Sequence, residues 1–148
     1  IRNDLSKIEK KENCYPNVKT ISKKNNKNKI HADFVRMIQY PRGGGFLAEH
    51  DDHDKYYCKG VYQALLPLTV KKIPGKKRKL ATYETGGLYL NTKKNKIFID
   101  DYIQAGDLLL FDPKVPHGIN SVDPMKKLNT SQWNGRLTLA FSISNFLK

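Results

Sequence analysis

The sequence predicts a mainly β protein, a sandwich or barrel rather than a chain of alternating strands and helices. Short runs rich in β-branched, aromatic and leucine residues follow one another between residues 33 and 146. Clusters of Gly, Pro, Asn and Asp separate these runs. No amphipathic helical pattern lies between them, as βαβ units would require.

In chain order the runs are DFVRMIQY (33–40), VYQALLPLTV (61–70), GGLYLN (86–91), KIFIDDY (96–102), DLLLFD (107–112), HGINSV (117–122) and RLTLAFSISNF (136–146). Residues 1–32 are the helical or irregular segment, and KKIPGKKRK (71–79) reads as a long exposed connection between two strands. Alternation in the last run puts Leu137, Leu139, Phe141 and Ile143 on one face and Arg136, Thr138, Ala140 and Ser142 on the other. The apolar face is expected to pack. The polar face, which begins with an arginine, either lines a cavity that holds an anion or meets water.

A length of 148 residues suits one domain, 1–148, with its β core at about 33–146. A hydrophobic fraction of 39% with 10% aromatics excludes the disordered class. No run approaches the ~20 apolar residues of a membrane helix. No secretory pattern is present, and the two cysteines, Cys14 and Cys58, stand outside any CxxC pair, so a reducing, cytoplasmic location is expected. The net charge of +13 raises nucleic-acid binding. The lysines, however, gather in KKNNKNK (23–29), KKIPGKKRK and KKNK (93–96), with no aromatic residues interleaved to stack on bases. Solvated loop lysines are the favoured reading, and a nucleic-acid partner is not.

The stretch GGGFLAEHDDHD (43–54) concentrates glycine, histidine and aspartate. In an extended segment His50 and Asp52 leave the same side, so an imidazole and a carboxylate converge, while Asp51 and His53 point away. His117 opens a later strand after a proline-bounded turn. Two histidines and a carboxylate form the facial triad of non-haem Fe(II) centres, with positions open for other ligands. His-x-Asp by itself is a weak signal, and a solvated polar loop is the competing reading. The order of glycines, His-x-Asp, β runs, strand-opening histidine and final-strand arginine favours a site. Gly43–Gly45 are not a phosphate loop, because no Lys-Ser/Thr follows; they read as a backbone bend. Asp100 and Asp101 read as turn composition, and His31 as structural or exposed.

Together, YPRGGGFLAEHDD, AGDLLLFDPKVPHGI and GRLTLAFS resemble the Fe(II)- and 2-oxoglutarate-dependent dioxygenases, in particular the prolyl-hydroxylase-like branch. The likeness spans about residues 33–146 and implies a double-stranded β-helix (jelly-roll) core. It implies that His50, Asp52 and His117 bind Fe(II) as the catalytic centre and that Arg136 pairs with the distal carboxylate of 2-oxoglutarate, which suits a planar guanidinium. Thr138 would donate its hydroxyl to that carboxylate, and Tyr40 and Gln63 are further cosubstrate-binding candidates. Trp133 would pack over the cosubstrate end or cap the core. The implied reaction consumes O2 and 2-oxoglutarate, releases succinate and CO2, and hydroxylates a substrate.

The peptidyl-proline branch usually carries lysine where Arg136 stands, and the nucleic-acid-repair branch adds a second arginine where Ser142 stands. A small molecule, amino acid or peptide is therefore the expected substrate, with the loops after residues 70 and 123 as its lid. The competing class is a cupin-like metal-binding jelly roll, an isomerase or binding module, that makes no use of 2-oxoglutarate. A third is an inert jelly roll that binds a partner through basic loops, against which the intact triad argues.

Overall fold

A computed structural model describes residues 29–52 and 62–147, with the side chains of 35–52 and 62–141. Expectations for residues 1–28, and for Cys14, His53 and Cys58, lie outside the described residues. Ten strands follow in order: β1 Lys29–Tyr40, β2 Gly45–His50, β3 Gln63–Pro67, β4 Val70–Lys71, β5 Ala81–Tyr83, β6 Gly87–Asn91, β7 Lys96–Phe98, β8 Leu109–Phe111, β9 His117–Val122 and β10 Arg136–Leu147. A single 3-10 turn at Ile99–Asp101 is the one helical element among the described residues.

Two four-stranded antiparallel sheets form, in the orders β1-β10-β3-β8 and β2-β9-β6-β7, with β4 and β5 as a small parallel pair. The core joins them: Leu65, Phe111 and Ala140 from the first sheet meet Leu88, Ile119 and Val122 from the second, with Tyr83 of β5. This is the mainly β architecture expected, and its two main sheets are antiparallel. No described helix is long and apolar enough to cross a membrane.

Several boundaries differ from expectation for local reasons. The first core strand begins at Lys29, so the irregular segment expected through residue 32 ends earlier. The run at 61–70 divides after Pro67, which has no N–H to continue a ladder; Leu68 and Thr69 instead donate to the Leu137 carbonyl. The run at 96–102 leaves the sheet after Phe98 and coils into the turn that carries Asp100.

On β10 the polar face lines a cavity, the first of the two alternatives expected for it, while the apolar face expected to pack is the less buried of the two. Arg136, Thr138 and Ala140 are the buried face, whereas Leu137, Leu139 and Phe141 are half-buried, and across the ladder Met37 and Val35 are exposed. Alternation decides which side chains share a face but not which face turns inward. Here an ion pair and a cavity turn the polar face inward. Between β1 and β2 the chain crosses from one sheet to the other through Gly43 (φ 93°) and Gly44 (φ 111°), whose N–H groups donate to the Val122 carbonyl. That bend lies at the opposite end of β2 from His50.

Candidate metal centre

His50 ends β2 and His117 begins β9, and the two are direct partners across the antiparallel ladder. Their rings lie 4.4 Å apart, tilted by 51°. The ladder shifts register between Leu47 and His50, the kind of irregularity that re-aims a side chain at a sheet edge. Asp52 lies beyond the strand and is tied down by its N–H, which donates to the Pro113 carbonyl at 2.9 Å. One carboxylate oxygen is 3.8 Å from His50 Nε2 and the other 3.5 Å from His117 Nε2. The three ligand atoms lie within 4.8 Å of one another.

The other ring nitrogens define the tautomers. His50 Nδ1 sits 2.8 Å from the Ala48 carbonyl and His117 Nδ1 2.9 Å from the Val115 carbonyl. A carbonyl only accepts, so each Nδ1 donates there; each Nε2 faces Asp52, to which it donates when the ring is protonated and toward which it holds a lone pair when the ring is neutral, the form a metal requires. This second contact orients imidazoles at metal sites. Burial works against a charge on His117, but the Asp52 hydrogen bond, the Val115 carbonyl and the Asp51 and Asp52 charges outweigh it and raise its pKa above the usual value. Two lone pairs and a carboxylate aimed at one point fit a divalent cation, and closing on an ion at about 2.1 Å requires only small side-chain movement.

From this centre a cavity of about 290 Å³ extends between the sheets, lined also by Tyr40, Gln63, Arg136 and Thr138. The volume suits a small ligand. Comparison with protein-family models, with curated proteins and with solved structures finds no match to this chain.

At the far end from the histidines lies Arg136, with 1% of its surface exposed. Its Nε donates to Asp100 Oδ2 at 2.8 Å and its Nη2 to Oδ1 at 3.4 Å. Nη1 is buried and has no hydrogen-bond partner among the described residues. Burial opposes the guanidinium charge, but the adjacent Asp100 carboxylate more than offsets it and keeps Arg136 protonated. Asp100 also accepts from the Tyr83 hydroxyl at 2.5 Å and the Leu88 N–H at 2.9 Å. Burial and the Asp100 charge push the Tyr83 pKa upward, so this hydroxyl remains a donor.

The other expected cosubstrate residues divide between the two ends. Tyr40 pairs with Arg136 across the ladder, its ring 5.9 Å from the guanidinium carbon, and burial raises its pKa. Thr138 is buried on the same face, but its hydroxyl donates to the Leu66 carbonyl at 3.2 Å. Gln63 is buried opposite Phe111, whose ring meets His117 edge-on at 4.9 Å, so Gln63 stands at the level of the histidines. Trp133 is 68% exposed and neither covers the cavity nor caps the core.

The loops expected as a lid collect at the Arg136 end. Thr69 and Thr82 hydroxyls donate to the Gly135 carbonyl, and Asp123 accepts from the Glu84 and Thr85 N–H groups and from Arg42. The triad end is bordered instead by residues 51–52 and the turns at 91–96 and 112–116. Asp100 is the functional residue that sequence reading missed, because its run resembles a turn. The available signal was Arg136 itself, since a cation on a core strand requires a buried anion.

Proposed function

We propose that this protein is an Fe(II)- and 2-oxoglutarate-dependent oxygenase that hydroxylates a small molecule, amino acid or peptidyl substrate, using O2 and releasing succinate and CO2. The observation that carries the reading is the buried, unpartnered Nη1 of Arg136 in the same cavity as the His50, Asp52 and His117 triad. Asp100 leaves one guanidinium nitrogen for a ligand oxygen. Leaving that donor dry and unpaired would cost about 1–3 kcal/mol, so a carboxylate there has a ready partner.

Strand order also supports the reading. With the short β4–β5 pair set aside and the eight remaining strands renumbered in chain order, the sheets become 1-8-3-6 and 2-7-4-5, as in a double-sheet jelly roll. The metal would be held by His50, Asp52 and His117, and would supply O2 activation and a chelating position for the keto acid. The chain's own groups bind and orient. Arg136 anchors the distal carboxylate, the Tyr40 hydroxyl remains protonated beside it, and Leu65, Leu88 and Ile119 keep the cavity walls apolar.

The pairing of Arg136 with Asp100 favours one second reading, a cupin-like metal protein in which the arginine only holds the fold. Anaerobic addition of Fe(II) and then 2-oxoglutarate separates the two. The oxygenase reading requires a visible metal-to-ligand charge-transfer band, saturating at much lower 2-oxoglutarate than pyruvate, which lacks the distal carboxylate. Iron binding with no band, or equal response to both keto acids, would overturn it.

A further inference from the structure

The cavity has a second arginine at its other end, and the described turns beside that end are basic. Arg36 shares the inward face of β1 with Ile38 and Tyr40, and it lines the same cavity as the triad. Tyr40 pairs with Arg136, whereas Arg36 pairs with Ala140, which in turn stands opposite Leu65 of β3. Four residues of extended chain, about 13 Å, separate the two levels. Gln63 and Phe111 lie one step beyond Leu65, and Phe111 touches the His117 ring. Arg36 is therefore at the triad end. It is exposed, and the small Ala140 beside it leaves room above the cavity floor.

Among the described residues, two turns border this end of the cavity, both joined to ligand-bearing segments. The Asn91 N–H donates to the Pro116 carbonyl, next to His117, and the following turn presents Lys93 and Lys94. The Asp52 N–H donates to the Pro113 carbonyl, and the next residue in that turn is exposed Lys114. Of the acids nearby, Glu49 accepts from the Asn91 side chain and Asp112 accepts from the Lys114 N–H. Asp51 is exposed and adjoins Asp52.

We propose that Arg36 is a substrate-recognising residue and that the substrate is an acid, presenting a carboxylate or phosphate to Arg36 while another part of it faces the metal. This rests on the oxygenase reading for the word substrate, but the anion site itself does not. One arginine serves each end: Arg136 stands at the end of the cavity away from the triad and Arg36 at the triad end. A planar fork pairs with either oxyanion, and Lys93, Lys94 and Lys114 add a field that draws anions toward the mouth.

The test follows the arginine Nε–H signals by NMR during titration with N-acetylglutamate and glycerol phosphate, with N-acetylglutamine and glycerol as neutral counterparts. The protein carries Zn(II) and saturating 2-oxoglutarate, and a parallel titration omits both. The expected result is a saturable shift of the Arg36 signal with one or both acids and none with the neutral probes; which acid binds more tightly tells carboxylate from phosphate. Arg36→Gln, followed on backbone amides, should weaken acid binding by at least about tenfold, with partial recovery in Arg36→Lys. Replacing Lys93, Lys94 and Lys114 with Gln should weaken it by about two- to fourfold and flatten its salt dependence. A shift that does not saturate by the order of tens of millimolar, equal response to neutral probes, or binding indifferent to Arg36→Gln would overturn the proposal. The charge-transfer band is read separately. Acid binding at Arg36 without a band removes the oxygenase reading alone, and a band without acid binding removes this inference alone.

Discussion

Arg136 and Asp100 form a buried ion pair, Nε to Oδ2 at 2.8 Å, that leaves Arg136 Nη1 without a partner among the described residues. Removing one member of such a pair strands the other charge, at a cost of about 3–5 kcal/mol. Asp100→Asn should therefore unfold at clearly lower denaturant than the wild type. Arg136→Met combined with Asp100→Leu removes both charges and should recover part of that loss; the Tyr83 hydroxyl and Leu88 N–H remain unpaired in it, so recovery is incomplete. The double variant should still bind metal but form no charge-transfer band with 2-oxoglutarate at concentrations that saturate the wild type. A band of normal affinity in that variant would show that Arg136 anchors nothing but Asp100.

Gly87 gives an independent route to the same pair. Its φ is 104°, and a Cβ added there would collide with Asp100 Oδ2. Gly87→Ala should cost on the order of 1–3 kcal/mol from backbone strain alone and should also displace the Asp100 carboxylate from Arg136. Denaturation and keto-acid binding should weaken together, with metal affinity nearly unchanged because the triad is at the other end of the cavity. Loss of metal binding instead would show that the two ends do not behave separately.

The long strands and the triad are legible in the sequence because short-range rules govern them. β9 coincides with HGINSV, and β10 with the last alternating run, since hydrophobic alternation and strand-opening residues are local signals. His50 and Asp52 are close in sequence, and only His117 requires the fold to bring it in. What the sequence leaves open is set by tertiary contacts. Nothing local says that the arginine face of β10 turns inward, since that depends on Asp100 arriving from a turn beyond β7. Likewise, Gln63 belongs with the histidines rather than with Arg136 because of the β3–β8 register, which no single segment encodes.

The triad predicts a metal-dependent gain in stability. A cation that binds only the folded chain stabilises it by about 2.7 kcal/mol at a hundredfold excess over Kd. Wild-type protein should therefore show a rise in Tm with added Fe(II) under anaerobic conditions, or with Mn(II). His117→Ala removes one of three ligands and should abolish that rise, and Asp52→Ala should do the same. Asp52 lies outside the hydrophobic core around Leu88 and Ile119, so the metal-free Tm should move little in Asp52→Ala; His117 is buried against Phe111, so His117→Ala should also lower the metal-free Tm, and the metal response is read relative to each variant's own metal-free value. An unchanged metal response in His117→Ala would place the ion elsewhere.

Protonation of His117 should affect the metal-free and metal-bound proteins in opposite directions. Its pKa in the folded chain is raised, chiefly by Asp52 against the opposing effect of burial. In the metal-free protein the resulting stabilisation is fully present below the unfolded value of about 6.5 and is lost as pH rises through the higher folded value. Metal binding needs the Nε2 lone pair, so affinity should fall as pH drops below that folded value, approaching about tenfold per unit for each proton displaced. Between pH 8 and 6 the Tm difference between loaded and metal-free protein should therefore narrow from both sides. The measurement is a pair of melting series across that range. A gap that stays constant would mean that no proton leaves His117 when the metal binds, which would contradict the ligand role assigned to its Nε2.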